Sequence, residues 1–117
     1  MEVAALVSSI NPAINSNFDS IEVGGLQQEL LWLLYDRGHL KQYPMAIDNL
    51  ADLEEISPSL SRPSCLQLYE EAIEINRKVY DNHHVYPYTY LAGYLYRVKN
   101  HSKAIETWAN AADVIKL

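Results

Sequence analysis

The sequence predicts an all-α fold of antiparallel helix pairs, and three observations carry that prediction. Apolar residues recur at three- and four-residue spacing through most of the 117-residue chain, which is the period of a helix with one buried face. The stretches between those segments hold residues that end helices, among them Asn11-Pro12, Arg37-Gly38-His39, Ser57 to Pro63, and Asp81 to His84. Small residues also sit at fixed separations from large ones, so that two helices can approach closely and stack on the next pair.

Met1 to Ile10 is apolar except for Glu2, Ser8 and Ser9 and predicts a short helix, ended at Asn11-Pro12 because proline cannot continue it. Asn11 to Ser20 is rich in Asn, Ser and Asp, whose side chains compete with helical backbone bonding, and reads as a connector. Helical spacing resumes at Ile21 and runs to Leu34 and Tyr35. Gly24 and Gly25 each cost roughly 1 kcal/mol relative to alanine, so this helix starts either at Ile21 or after the glycines. Gly38 stops it, glycine being the usual left-handed residue just past a helix end.

Tyr43 to Ile56 predicts the next helix, and the prolines and serines of 57–63 a loop. Ser64 then opens a helix with Gln67 at the spacing of a capping box, in which each side chain bonds the other's free backbone N–H. That helix runs to about Tyr80. Another spans Pro87 to Val98, with proline at a first-turn position whose missing N–H would be unpaired anyway. Lys99-Asn100-His101 turns into a last helix up to Ile115. The expectation is six helices in a single domain, residues 1–117, with abrupt ends that suggest a piece of a longer protein.

The chain is organised around Tyr86 to Tyr96, which holds five tyrosines and two leucines. Helical geometry puts Tyr88, Leu91, Ala92 and Leu95 on one face and Tyr86, Tyr90, Gly93 and Arg97 on the other. The first face suits packing on a neighbouring helix. The second carries hydroxyl-bearing rings that suit a groove, since a tyrosine buries apolar area while its hydroxyl still finds a partner.

Composition narrows the function classes. The formal net charge is -6 and no Lys/Arg cluster is present, which argues against gripping a nucleic-acid backbone directly. Cys65 is the only cysteine, so no internal disulfide forms and a cytosolic or nuclear compartment is expected. No apolar run approaches the length of a membrane span, and the start lacks the basic segment of a signal peptide. The protein is expected to be soluble and intracellular, without a membrane partner. His83-His84 are adjacent on a loop, and His39 and His101 lie at no ligand spacing, so neither a metal nor another cofactor is expected. Cys65 lies beside a helix start, where a thiolate is favoured, but no histidine stands at a motif spacing to activate it. No Ser-His-Asp or phosphate-loop pattern occurs, and the chain does not read as an enzyme. Tyr69 to Glu74 reads as a solvated helix face, with Glu74 four residues before Lys78.

A repeat lies under this pattern. Tyr88, Leu91, Ala92, Leu95, Ala104, Trp108 and Ala111 fall at the separations of the tetratricopeptide template, and Leu30, Leu33, Leu34, Tyr43, Ala46, Leu50, Leu53 and Pro58 follow it nearly as well. Leu34 departs, because the template has a small residue there. The two copies start 58 residues apart, against about 34 in a regular array, so the expectation is an irregular tetratricopeptide-like α-solenoid. In such a stack the first helix of each pair lines the concave side, which turns Tyr86 and Tyr90 towards a groove.

Several longer motifs carry a resemblance: Leu-Trp-Leu-Leu-Tyr-Asp at 31–36, Gly-His-Leu at 38–40, Tyr-Pro-Met-Ala at 43–46, Asn-Leu-Ala-Asp-Leu-Glu-Glu at 49–55, and Tyr-Pro-Tyr-Thr-Tyr-Leu-Ala-Gly-Tyr at 86–94. Over essentially its whole length the chain resembles the central helical region of the menin family. The resemblance implies a nuclear transcriptional scaffold without catalysis, whose central helices hold a pocket for a short peptide. It implies as partners the amino-terminal segment of mixed-lineage-leukaemia-type histone methyltransferases and a related segment of JunD. It also implies that Tyr43, Met45, Asp52, Tyr86, Tyr90 and Trp108 belong to the pocket wall. Ala5, Ser8, Ser9 and Thr89 occupy further wall positions, standing where the family has phenylalanine, cysteine, alanine and methionine. The family's amino-terminal transglutaminase-like domain, the acidic residues that hold the peptide's arginine and the nuclear-localisation signals lie outside this segment.

Read from the residues alone, each position has a plainer alternative. Tyr86 and Tyr90 fit half-exposed packing as well as groove lining, and Asp52 fits a solvated carboxylate. Trp108 takes the large core position of the repeat. The whole segment fits a structural helical-repeat unit that packs or assembles without binding peptide. In a groove, Met45 would give adaptable apolar contact and Asp52 a charge-assisted hydrogen bond to an amide or an arginine.

Overall fold

Wherever the three- and four-residue apolar spacing is uninterrupted, the chain closes into helix. A computed structural model describes residues 20–115, which form α1 (Ser20–Asp36), α2 (Pro44–Ile56), α3 (Cys65–Val79), α4 (Tyr86–Arg97) and α5 (His101–Ile115). The expected helix over residues 1–10 and the connector after it lie outside the described residues, and with them Ala5, Ser8 and Ser9. Among the described residues the fold is all-helical.

The ends follow the local chemistry. α1 begins at Ser20, ahead of both glycines, and Gly24 faces α2, where an added Cβ would lie 3.8 Å from Leu53 Cδ2. Gly38 takes φ +75°, and the His39 N–H bonds back to the Leu34 carbonyl at 2.9 Å, the left-handed closure that glycine permits. Ser64 and Gln67 form the reciprocal capping box at the start of α3. The α4–α5 turn uses the same left-handed closure without glycine. Lys99 sits at φ 65°, and the Asn100 N–H reaches the Leu95 carbonyl at 2.8 Å.

α2 packs most extensively on α3 and α4 on α5, while α3 meets α4 and α1 lies on α2. One continuous core runs through Leu31 and Leu34 of α1, Ala46, Ile47, Leu50 and Ala51 of α2, Leu68, Tyr69 and Ala72 of α3, Tyr88, Leu91 and Leu95 of α4, and Ala104 and Ala111 of α5. Small residues at 46, 51, 72, 104 and 111 let the helices approach closely. Tyr69, Ala72 and Ile73 are buried, which corrects the expectation of a solvated face over 69–74. Their spacing continues through Asn76 to form the inner side of α3, and the solvated side is carried by Glu70 and Glu74, the latter paired with Lys78 at 3.4 Å.

A buried carboxylate fixes α1 to α2. Glu54, 3% exposed, accepts hydrogen bonds from Trp32 Nε1 at 3.0 Å, from Ser59 N at 2.9 Å and Oγ at 2.7 Å, and from Gln28. Burial pushes the Glu54 carboxyl up, but these bonds together outweigh it and hold the group below its usual range. The Arg62 guanidinium closes the cluster, 4.6 Å above the Trp32 ring.

Candidate functional site

The site is assembled where α2, α3 and α4 meet. The start of α4 is set by Asn76 near the end of α3, a side chain with no exposed surface. Asn76 Nδ2 donates to the His84 carbonyl at 2.7 Å, and its Oδ1 accepts the His84 N–H at 3.0 Å. Asn82 takes the Tyr88 hydroxyl at 2.5 Å. With the turn pinned in this way, α4 buries Pro87, Tyr88, Leu91, Ala92 and Leu95 and leaves Tyr86, Tyr90 and Tyr94 half-buried on its other side, the division that helical spacing anticipates.

Those rings continue an aromatic strip. Tyr80 packs on His84 at 4.9 Å, His84 on Tyr86 at 5.3 Å, and Tyr86 stands edge-on to Tyr90 at 6.4 Å and 83°. Tyr69 of α3 then lies 6.5 Å from Tyr90 and 5.3 Å from Tyr94. Tyr80 anchors one end through a hydrogen bond to the Gln42 carbonyl. At the other end Arg97 holds Glu55 of α2 with Nη2 and Nε, at 2.7 and 3.0 Å.

Two carboxyl groups of α2, one turn apart, face this strip. Asp52 is half-buried and accepts the Tyr69 hydroxyl. Burial raises its pKa, opposed by that bond and by Arg97. Asp48 has no exposed surface, and neither of its oxygens has a hydrogen-bond partner. Burial, reinforced by Asp52, pushes its carboxyl up to about 9, so it holds its proton at neutral pH. The strip responds to the same environment. Tyr86 is pushed up to about 12, by burial first and then by Asp48, and Tyr90 is raised by burial, Asp52 and Asp48.

The structure therefore brings together Asp52, Tyr86 and Tyr90 of the expected wall. The Met45 backbone, near the Tyr86 hydroxyl, opposes the rise of its pKa, while the Met45 side chain is 47% exposed. Tyr43 caps α2 and packs half-buried against the core. Thr89 is exposed and its hydroxyl bonds the Tyr86 carbonyl at 2.9 Å. Trp108 stands apart on α5, its ring 6.0 Å from Tyr96. At 41% exposure it does not fill the core position that the repeat template gives it, because α5 buries Ala104, Thr107 and Ala111 instead. Two participants escaped the sequence reading, Asp48 and Tyr69. The available signal for Asp48 was its place three residues before Ala51 and four after Pro44, on the apolar side of α2.

A separate cleft of about 260 Å³ opens on the other side of α4, lined by Glu70, Glu74, Arg77, Tyr88, Lys103 and Glu106 among others. Among the described residues no group of three or more His, Cys, Asp or Glu side chains is placed to hold a metal ion, and no helix is long and apolar enough to cross a membrane.

Comparison with known proteins agrees with the helical fold. The chain superposes on a crystal structure of menin that reveals the binding site for Mixed Lineage Leukemia (MLL) protein, with a TM-score of 0.86 and 58% sequence identity over 96% of this chain. That alignment spans 26% of the menin chain. The family model for Menin matches residues 1–117, and on that match the chain belongs to the menin family.

Proposed function

We propose that this chain is a non-enzymatic scaffold segment that forms much of the wall of a peptide-binding groove. The peptide is the amino-terminal segment of a mixed-lineage-leukaemia-type histone methyltransferase, or the related segment of JunD, and the setting is nuclear transcriptional regulation on chromatin. The observation that carries the reading is the strip of Tyr86 and Tyr90 above Asp52, on a chain 58% identical to a menin whose structure reveals an MLL binding site. Aromatic anchors beside a few polar groups are the composition of peptide hot spots. The helices form an irregular tetratricopeptide-like array, in which α4 as a first helix faces the groove. On the family resemblance, Tyr43, Met45, Thr89, Ala5, Ser8 and Ser9 complete the wall, with Trp108, on α5 beyond the strip, at its rim.

Amide NMR of the labelled chain with a synthetic peptide copied from the methyltransferase amino terminus tests this. Shifts centred on Tyr43, Tyr86 and Tyr90 are expected, and Tyr90→Ala weakens binding by about tenfold or more while helicity is kept. Unchanged affinity in Tyr90→Ala overturns the groove assignment.

A second reading, a helical packing unit that has lost peptide binding, is favoured by one observation. Thr89 supplies a short polar side chain already engaged with the Tyr86 carbonyl where the family pattern has methionine. The combined change Ala5→Phe, Ser8→Cys and Thr89→Met separates the two: binding that emerges only in that variant supports the packing unit.

A further inference from the structure

α3 and α5 flank α4 without being tied to each other. Among the described residues no hydrogen bond or ion pair joins them, whereas α1 reaches α3 through the Tyr35 hydroxyl, which donates to Glu71 at 2.7 Å. Between α3 and α5 the cleft of about 260 Å³ continues into a second of about 280 Å³. The two share Arg77, Tyr88 and Asn110. From the first to the second the residue number rises on both walls, from Glu70 to Arg77 on α3 and from Lys103 to Asp113 on α5. The two helices therefore run the same way, and the cavities form one trough. At about 1.5 Å per residue its α5 wall is roughly 15 Å long, the reach of four or five extended residues.

The middle of the trough is built of donors. Arg77 lies 3.6 Å from Glu74, too far for a hydrogen bond, so its guanidinium keeps its N–H groups for a ligand. Asn82 Oδ1 already accepts the Tyr88 hydroxyl at 2.5 Å and Asn76 Nδ2 at 3.3 Å, which leaves Nδ2 as the end of Asn82 that donates. Asn110, on the facing wall, is exposed and its amide has no partner in the fold. The flanks carry the opposite charge. Glu74 and Glu106 lie to one side of this centre and Asp113 to the other, Glu106 about 6 Å and Asp113 about 4.5 Å along α5 from Asn110. Lys103 and Glu70 face each other at the far end.

We propose that this trough docks an extended partner peptide in which an acidic residue is flanked, two positions away on each side, by lysine or arginine. Arg77, with Asn82 and Asn110, takes the central carboxylate in the two-pronged pairing that a planar guanidinium favours. Alternate side chains of an extended chain point the same way and lie about 6.6 Å apart. That spacing sets one basic side chain against Glu74 and Glu106 and the other against Asp113. A phosphate at the centre fits worse, since its second charge meets the same three carboxylates. The trough lies on the side of α4 away from Tyr86 and Tyr90 and does not depend on the groove there.

The test uses the full chain and three capped peptides: Ala-Lys-Ala-Glu-Ala-Lys-Ala, the same with glutamine for glutamate, and the same with phosphoserine for glutamate. NMR signals of the backbone amides, the Asn side chains and the Arg Nε–H are followed at low and at physiological salt. Saturable shifts at Arg77, Asn82 and Asn110 are expected with the first peptide, with a Kd of about 1 mM or tighter that weakens as salt rises. The glutamine peptide, and the first peptide on Arg77→Gln, should each lose about tenfold in affinity; Arg77 is exposed, so the variant keeps its core. Equal affinity for the glutamate and glutamine peptides, affinity unchanged in Arg77→Gln, shifts centred on Tyr86 and Tyr90, or no saturation up to about 5 mM overturns the proposal. Tighter binding of the phosphoserine peptide makes the centre a phosphate site and overturns it too. Binding of the methyltransferase peptide is expected to be the same in Arg77→Gln as in the parent, so the trough and the groove stand or fall separately.

Discussion

Removing the Asp48 carboxyl makes the protein more stable at neutral pH, and by an amount that depends on pH. The group is about 9 in the fold against an ordinary 3.8, so folding at neutral pH takes a proton up from water. A group whose pKa is raised on folding contributes stability that is fully present below its unfolded value and is lost as pH rises towards its folded value. For Asp48 the window runs from about 3.8 to about 9. At pH near 7 the loss is about 4 kcal/mol relative to acid, because each pH unit above the unfolded pKa costs about 1.36 kcal/mol. Against a total of roughly 5–15 kcal/mol for a domain, that is a large share.

Asp48→Ala abolishes this linkage. Near pH 4 the variant should lie within about 1 kcal/mol of the parent, since the small cavity it leaves is offset by removal of an unsatisfied polar group and by better helix propensity. Near pH 7 it should be more stable by about 3–4 kcal/mol. Urea unfolding followed by circular dichroism across that range measures both. The difference between the two curves isolates Asp48, because Asp52 and Glu54 titrate in both proteins, Asp52 with the same sign and Glu54, held low by its hydrogen bonds, with the opposite one. Parallel stability curves for parent and variant would refute the reasoning.

Two further changes probe the turns that position α4. Asn76→Ala strips the His84 N–H and carbonyl of their partners and should destabilise the fold by about 2–4 kcal/mol, read as a lowered urea midpoint; an unchanged midpoint means that the turn is held by other contacts. Lys99→Gly relieves a left-handed residue at φ 65°, worth roughly 1–2 kcal/mol, less the extra freedom glycine gives the unfolded chain. A net gain of about 0.5–1 kcal/mol should appear as a raised midpoint, and a loss would show that the Lys99 side chain contributes more than its backbone strain removes.

How far the sequence reveals the site depends on which rule governs each residue. Local rules act within a few residues, and there the text of the chain suffices. Ser64 with Gln67, Gly38 past α1, and the two faces of α4 are all legible because capping, left-handed closure and helical period need no knowledge of the partner helix. Asp48 and Tyr69 were not legible, because period alone does not say which face a neighbour covers. An acidic residue is normally a mark of the solvated side, so Asp48 hides inside an apolar face, and Tyr69 is masked by the glutamates that follow it.

Trp108 shows the limit from the other direction. A repeat template assigns it a buried place by assuming that something large packs against that side of its helix. Among the described helices α5 meets chiefly α4, and its buried positions are Ala104, Thr107 and Ala111. Small side chains draw two helix backbones together, and the closer that approach, the narrower the strip of surface it covers. The same small residues that make the α4–α5 pair tight therefore leave Trp108, one position further round, at the rim. Whether such a ring lines a groove or sits in a core is decided by the next element to arrive, and a helix's own sequence does not carry that information.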